Sequence, residues 1–174
     1  MNPPKIIAYP RSGTHYLQSL ILAHSSQKIT FSHYPVTENR FIITIARDPF
    51  DSIQSHVAMN KHYNPKTYKE NDYIEYYVDL YKYLYNNANL VIDYNDLINF
   101  PEETTKMICD LLGFVKNPSN HKMHGDKEDI EYLVSSKTVK EYNEEYFKIE
   151  DMANCYNEYH NLLSKVNKES LQWN

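Results

Sequence analysis

Glycine and cysteine are both scarce in this 174-residue chain, which has three of the first and two of the second. Cys109 and Cys155 have no CxxC spacing, so no cysteine-based zinc motif can be written for them. A buried, reduced thiol is the expected state of Cys109, and a reducing cytoplasm the expected compartment. No apolar run reaches membrane-spanning length. The opening MNPPKIIAYP has no basic segment followed by a long apolar stretch, so neither a secretory signal nor a membrane partner is expected. The formal net charge is −5. Without a global basic field, nucleic acid is not an expected partner, and any anionic ligand needs a local basic site. There is no glycine-rich or proline-rich linker and no internal repeat. One domain over residues 1–174 is expected, helical in its C-terminal part from about residue 127.

Hydrophobic content of 41% and charged content of 24% fit a chain with a globular core. The unusual abundance is tyrosine, at seventeen. Much of it lies in residues 73–85. That run could line an aromatic pocket but reads rather as a partly buried helix face; compositional drift in the source genome could also produce it.

Residues 5–22 (KIIAYPRSGTHYLQSLIL) organise the rest. Ile6, Ile7 and Ala8 form a short apolar run suited to a covered parallel strand. Pro10 cannot donate to a ladder and should end it. Gly13 permits a backbone conformation that a side chain would resist. Leu17, Leu20, Ile21 and His24 then share one helical face. A strand, a small polar turn and a helix N-terminus together make an anion cradle. Arg11 adds a fixed charge and a fork of donors suited to phosphate or sulfate. The triphosphate P-loop is excluded, because its second glycine and its lysine are missing.

Further along, residues 28–34 read as a short strand and residues 41–46 (FIITIA) as the clearest strand in the chain. Asp48 and Pro49 suit an N-cap and first helical residue, with Ile53, Val57 and Met59 facing inward. Residues 56–65 read as polar chain leading into a loop. Residues 71–87 have helical period and residues 90–93 (LVID) form a fourth strand, after which Asp96 opens a brief turn. Residues 101–112 predict a helix with Met107, Ile108, Leu111 and Leu112 inward and Gly113 as its cap. Residues 116–126 read as loop, and the charged remainder as short, largely solvated helices.

Strands alternating with helices predict an α/β fold of three layers, with a central parallel β-sheet and helices on both faces. Ligands of such sheets bind beyond the carboxyl ends of the strands. Residues 11–14, His33, Arg47 and Tyr94 each follow a predicted strand, so four strand ends are expected to converge on one crevice. Read singly, His33 is a surface or capping histidine, Ser55 an exposed helical serine and Tyr94 a packing residue. His56, His62, His121 and His124 lack metal-motif partners and are expected to face solvent.

These segments resemble the sulfotransferases that use 3′-phosphoadenosine 5′-phosphosulfate (PAPS). Tyr9-Pro10-Arg11-Ser12-Gly13-Thr14 resembles their 5′-phosphosulfate loop YPKSGTTW, with Arg11 at the lysine position. His15 follows within the same loop, and Tyr16 matches the tryptophan that stacks on adenine. Arg47 to Ser55 resembles the motif RxPxDxxxS, whose arginine and serine bind the 3′-phosphate. Ser32-His33-Tyr34-Pro35 is similar to the cytosolic branch's THxP segment, which implies that His33 is the catalytic base. Tyr94-Asn95-Asp96-Leu97 looks like YEDL, whose tyrosine reaches the adenine region. The helix ending Leu111-Leu112-Gly113-Phe114 also fits the family pattern, and the likeness spans residues 5–115.

The resemblance implies a P-loop NTPase-like sulfotransferase fold and PAPS as co-substrate, with no metal. The catalytic pair would be His33 and Arg11. Arg11, Ser12, Gly13, Thr14, His15, Tyr16, Arg47, Ser55 and Tyr94 would hold the nucleotide. The acceptor would be a small molecule, with a phenol or other alcohol first. Two features depart from the family. Its C-terminal RKGxxGDW segment has no good copy here, and Phe31 replaces the lysine of KTHxP. Lys122 and Lys127 are candidate replacements by charge alone. Two rival functions remain: a nucleotide or small-molecule kinase requiring ATP and magnesium, and a non-catalytic PAPS-binding remnant.

Overall fold

The computed structural model describes residues 2–25, 27–63, 70–116 and 146–166. Its centre is a four-stranded, all-parallel sheet of β1 (Lys5–Ile7), β2 (Thr30–Ser32), β3 (Ile42–Ala46) and β4 (Leu90–Asp93), in the order β2-β1-β3-β4. Around it lie α1 (Thr14–His24), α2 (Pro49–Tyr63), α3 (Glu70–Asn87), α4 (Tyr94–Asn99), α5 (Pro101–Leu111) and α6 (Ala153–Leu163). A 3-10 turn over Ile149–Met152 leads into α6.

Both sheet faces are covered, and the alternation of side chains assigns the covers. Ile7, Tyr9, Ile42, Ala46 and Val91 pack in one core with residues of α2, α3 and α6. Ile6, Ala8, Ile43, Ile45 and Ile92 pack in the other with α1, α4 and α5. Successive strand residues point to opposite faces, so a strand buried on both must be apolar throughout. β3 comes close to that demand: all five residues are buried and four are apolar, with Thr44 the polar exception. The α/β reading of the sequence therefore holds, with a parallel sheet between helices.

The chain steps from β1 outward to β2, then crosses back over β1 to β3. The strand order thus reverses between β1 and β3, and their carboxyl ends flank a crevice.

Several boundaries differ from the sequence expectation. Helix α2 continues to Tyr63 instead of giving way to loop after residue 56. Tertiary contacts hold its polar second half: Val57 is buried and Asn60 donates to the Tyr73 hydroxyl at 2.8 Å. The turn expected at Asp96 is helix α4, capped by the Asp93 carboxylate accepting from the Asn95 N–H at 2.9 Å. Leu111, expected inward, is 58% exposed, while Ile108 and Cys109 fill that side of α5. The C-terminal helix is not a solvated face: Met152, Cys155, Tyr159 and Leu162 are buried in the core shared with α3. Both cysteines are free, and burial pushes each thiol up to about 11. His121, His124, Lys122 and Lys127 lie outside the described residues, as does most of the expected loop at 116–126. Among the described residues no helix is long and apolar enough to cross a membrane.

Ile43→Ala, in the middle of β3, should lower the unfolding free energy by about 2–5 kcal/mol. Leu111→Ala should change it by less than about 0.5 kcal/mol. Urea titrations of the two variants check this directly.

Candidate active site at the β1–β3 crevice

The loop after β1 turns twice through left-handed backbone. Arg11 has φ 71° and Gly13 φ 85°. Arg11 is the only non-glycine residue at positive φ among the described residues. Such a conformation costs of order 1–3 kcal/mol and tends to occur at working sites. Gly13 is the N-cap of α1, and no side chain caps that helix. A Cβ on Gly13 would sit 3.3 Å from the Tyr94 ring, a tight contact needing a small shift of that ring, so the positive φ is the stronger demand for glycine.

Arg11 and Arg47 come together at this point. Arg47 Nη1 donates to the Arg11 carbonyl, and the guanidinium lies 4.4 Å from the centroid of the Tyr94 ring. Arg11 Nε donates to Ser55 Oγ at 2.9 Å. Ser55 is 2% exposed, so it is not the solvent-facing serine that its helical position alone allowed. It sits with Arg11 from the first motif, which joins α2 to the loop after β1.

Buried donors at the cradle have no protein partner. Ser12 Oγ, Thr14 Oγ1 and Arg47 Nε each lack one. Buried polar atoms in folded proteins are almost always paired, so a cluster of orphans needs explaining. Beside the N-terminus of an eleven-residue helix, the chemistry they suit is that of an anion with several acceptor oxygens.

On the other side of β1, His33 Nδ1 lies 2.8 Å from the Ala8 carbonyl. A carbonyl can only accept, so Nδ1 carries a proton, and Nε2 is the nitrogen that holds the lone pair in the neutral ring. That is the tautomer a general base requires. The turn carrying His33 is shaped by Ser32, whose Oγ donates to the Tyr34 carbonyl and accepts from the Tyr34 N–H, both at 3.0 Å. Phe31, at the position where a lysine was missed, instead packs between two imidazoles. Its ring centroid is 4.3 Å from that of exposed His15 and 5.8 Å from that of His33. Tyr16 is half-buried, and burial together with Tyr94 raises its phenol above the ordinary range.

Of the expected site residues, Arg11 to Thr14, Arg47, Ser55 and Tyr94 come together around the β1–β3 crevice. Tyr16 adjoins Tyr94. His33 reaches β1 from the β2 side, and His15 lies with Phe31 on that side. His56 is the correction. It is not solvent-facing but wedged edge-on against Tyr9 and Tyr73, with ring centroids 5.2 and 4.9 Å away. Its Nδ1 is 3.0 Å from the Tyr9 hydroxyl, which donates to the Tyr73 carbonyl at 3.4 Å. Burial, then the charges of His33 and Arg11, push its imidazole down to about 4. The only signal in the sequence was its place beside Ser55, too little to separate it from the other histidines. Among the described residues no cluster could hold a metal ion.

Neither the known protein families nor the curated protein sequences yield a match to this chain. The site therefore has to be interpreted from its own chemistry.

Because His56 holds its proton less readily folded than unfolded, its contribution to stability is complete above about pH 6.5. It is lost as pH falls toward 4, a displacement worth on the order of 3 kcal/mol. His56→Gln should flatten that part of the stability–pH profile, as measured by urea unfolding at a series of pH values.

Proposed function

We propose that this chain is a PAPS-dependent sulfotransferase that passes a sulfuryl group to the hydroxyl of a small phenol or alcohol. The observation that carries the reading is the meeting of Arg47 with the Arg11 loop where strand order reverses, beside the unpartnered hydroxyls of Ser12 and Thr14. The donor set fits a nucleotide bearing anionic groups at both ends. In a chain of net charge −5, such affinity has to come from local donors.

Each residue then has a role its geometry allows. The Arg11 guanidinium, the first N–H groups of α1 and the Thr14 hydroxyl bind the 5′-phosphosulfate and stabilise charge on the departing oxygen. Arg47 and Ser55 bind the 3′-phosphate and set the register of the nucleotide. Tyr94, under the Arg47 guanidinium, and Tyr16 beside it offer aromatic faces to the adenine. His33 Nε2 takes the proton of the acceptor hydroxyl as its oxygen attacks sulfur. The new O–S bond replaces the bond from sulfur to the phosphate oxygen, and adenosine 3′,5′-bisphosphate leaves. Transfer of this kind is in-line, by analogy with phosphoryl transfer, and catalysis rests on positioning and charge.

Calorimetry with adenosine 3′,5′-bisphosphate and a PAPS-dependent screen over phenols, alcohols, amines and sugars test the proposal. Arg47→Ala should weaken bisphosphate binding about 10- to 100-fold. His33→Ala should lower transfer by about 10²–10⁴-fold while leaving nucleotide binding intact. Binding of ATP with magnesium in preference to the bisphosphate would overturn the reading in favour of a kinase. Tight bisphosphate binding with no sulfated product from any acceptor would make the chain a non-catalytic nucleotide binder.

A further inference from the structure

The tyrosine-rich helix α3 is left unused by the mechanism, yet its hydroxyls reach the strand-end loops. Tyr76 Oη donates to the His33 carbonyl. Tyr77 Oη donates to the Arg47 carbonyl at 2.8 Å, and Tyr81 Oη to the same oxygen at 3.2 Å. The Arg47 N–H in turn donates to Tyr81 Oη at 3.1 Å. The peptide groups of both site residues are therefore bonded to one helix. We propose that α3 is the positioning frame of the site, with Tyr76 setting His33 and the Tyr77–Tyr81 pair setting Arg47.

Helical spacing explains how one element serves two loops. Residues four apart lie one above the other, and the rings of Tyr77 and Tyr81 stack with centroids 4.0 Å apart at 18°. That stripe faces the end of β3. Tyr76 is turned about a quarter of the way round the helix and faces the end of β2. Tyr77 and Tyr81 are fully buried. A phenylalanine would fill the same volume without a polar atom to satisfy, so packing alone does not call for tyrosine here. What the hydroxyls add is direction, because each bond names one backbone group as its partner. Burial holds the Tyr76, Tyr77 and Tyr81 phenols above their ordinary range, so they stay protonated donors at neutral pH.

These three are positioning residues, acting through His33 and Arg47. The isosteric changes Tyr→Phe test them with two readouts that a purely structural role would not move selectively. The first is calorimetric affinity for adenosine 3′,5′-bisphosphate, and this arm rests on the function proposed above. Tyr81→Phe, which loses both of its bonds to the Arg47 peptide, should weaken binding by at least roughly 5- to 10-fold, the size of one buried hydrogen bond. Adding Tyr77→Phe should weaken it further, while Tyr76→Phe and the half-exposed control Tyr85→Phe leave it unchanged.

The second readout is the ¹⁵N spectrum of the His33 ring, assigned with His33→Gln and independent of any ligand. Wild type should show the Nδ1-protonated tautomer, and Tyr76→Phe should mix in the Nε2-protonated form. The Tyr77→Phe/Tyr81→Phe double variant should leave that spectrum as in wild type. If the double variant does not fold, Tyr81→Phe alone decides the first arm. Wild-type affinity in a folded Tyr81→Phe, or an unaltered His33 spectrum in Tyr76→Phe, overturns the proposal. If wild type itself ignores the bisphosphate, the functional reading falls, and the spectrum alone then decides the inference.

Discussion

A single side chain, Arg47, ties the ends of β1 and β3 together by donating from its guanidinium to the backbone carbonyl of Arg11. Two arginines at one crevice repel, and the fold compensates for that repulsion at each group. The Arg47 plane lies on the Tyr94 ring, where a weakly hydrated cation is favoured. Arg11 donates through Nε to a buried serine hydroxyl. Both arginines stand beside a helix N-terminus, where an anion gains backbone hydrogen bonds and a favourable dipole.

The same demand accounts for the backbone. For its carbonyl to meet Arg47 the chain must reverse within a few residues of β1, and it does so by placing both Arg11 and Gly13 at positive φ. The strain at Arg11 is held in place by rigid neighbours. β1 lies between β2 and β3 in the sheet, and α1 starts immediately beyond the loop. The Tyr94 ring lies close to Gly13 on the other side. The loop is thus defined from three directions, an arrangement suited to groups that must meet a ligand without rearranging.

Much of the architecture was legible in the sequence because the apolar runs are unambiguous. FIITIA reads as a strand covered on both faces and its last five residues form β3, and LVID matches β4 residue for residue. Failures occurred where tertiary contact outweighs local pattern. The second half of α2 is polar, yet it remains helical because Val57 is buried and Asn60 reaches Tyr73. Asp93 caps α4 at a place where Asp96 suggested only a turn. In the site, Arg11, Gly13, Arg47 and Tyr94 could be picked out because each follows a strand. His56 could not, since its environment is built by Tyr9 and Tyr73, forty-seven residues before it and well beyond it in the chain.

By itself the sequence determined the strand and helix alphabet, the parallel sheet and the set of polar residues at strand ends, because these follow from hydrophobic period and turn chemistry between near neighbours. Only the tertiary structure decided the order of the strands, and with it that the ends of β1 and β3 flank one crevice. It also decided which nitrogen of His33 faces the Ala8 carbonyl, and what the hydroxyls of the tyrosine run bond to. That run is a partly buried helix face whose hydroxyls are directed at backbone groups of the strand-end loops. Those outcomes depend on groups tens of residues apart coming within hydrogen-bonding distance, and no local spacing encodes them.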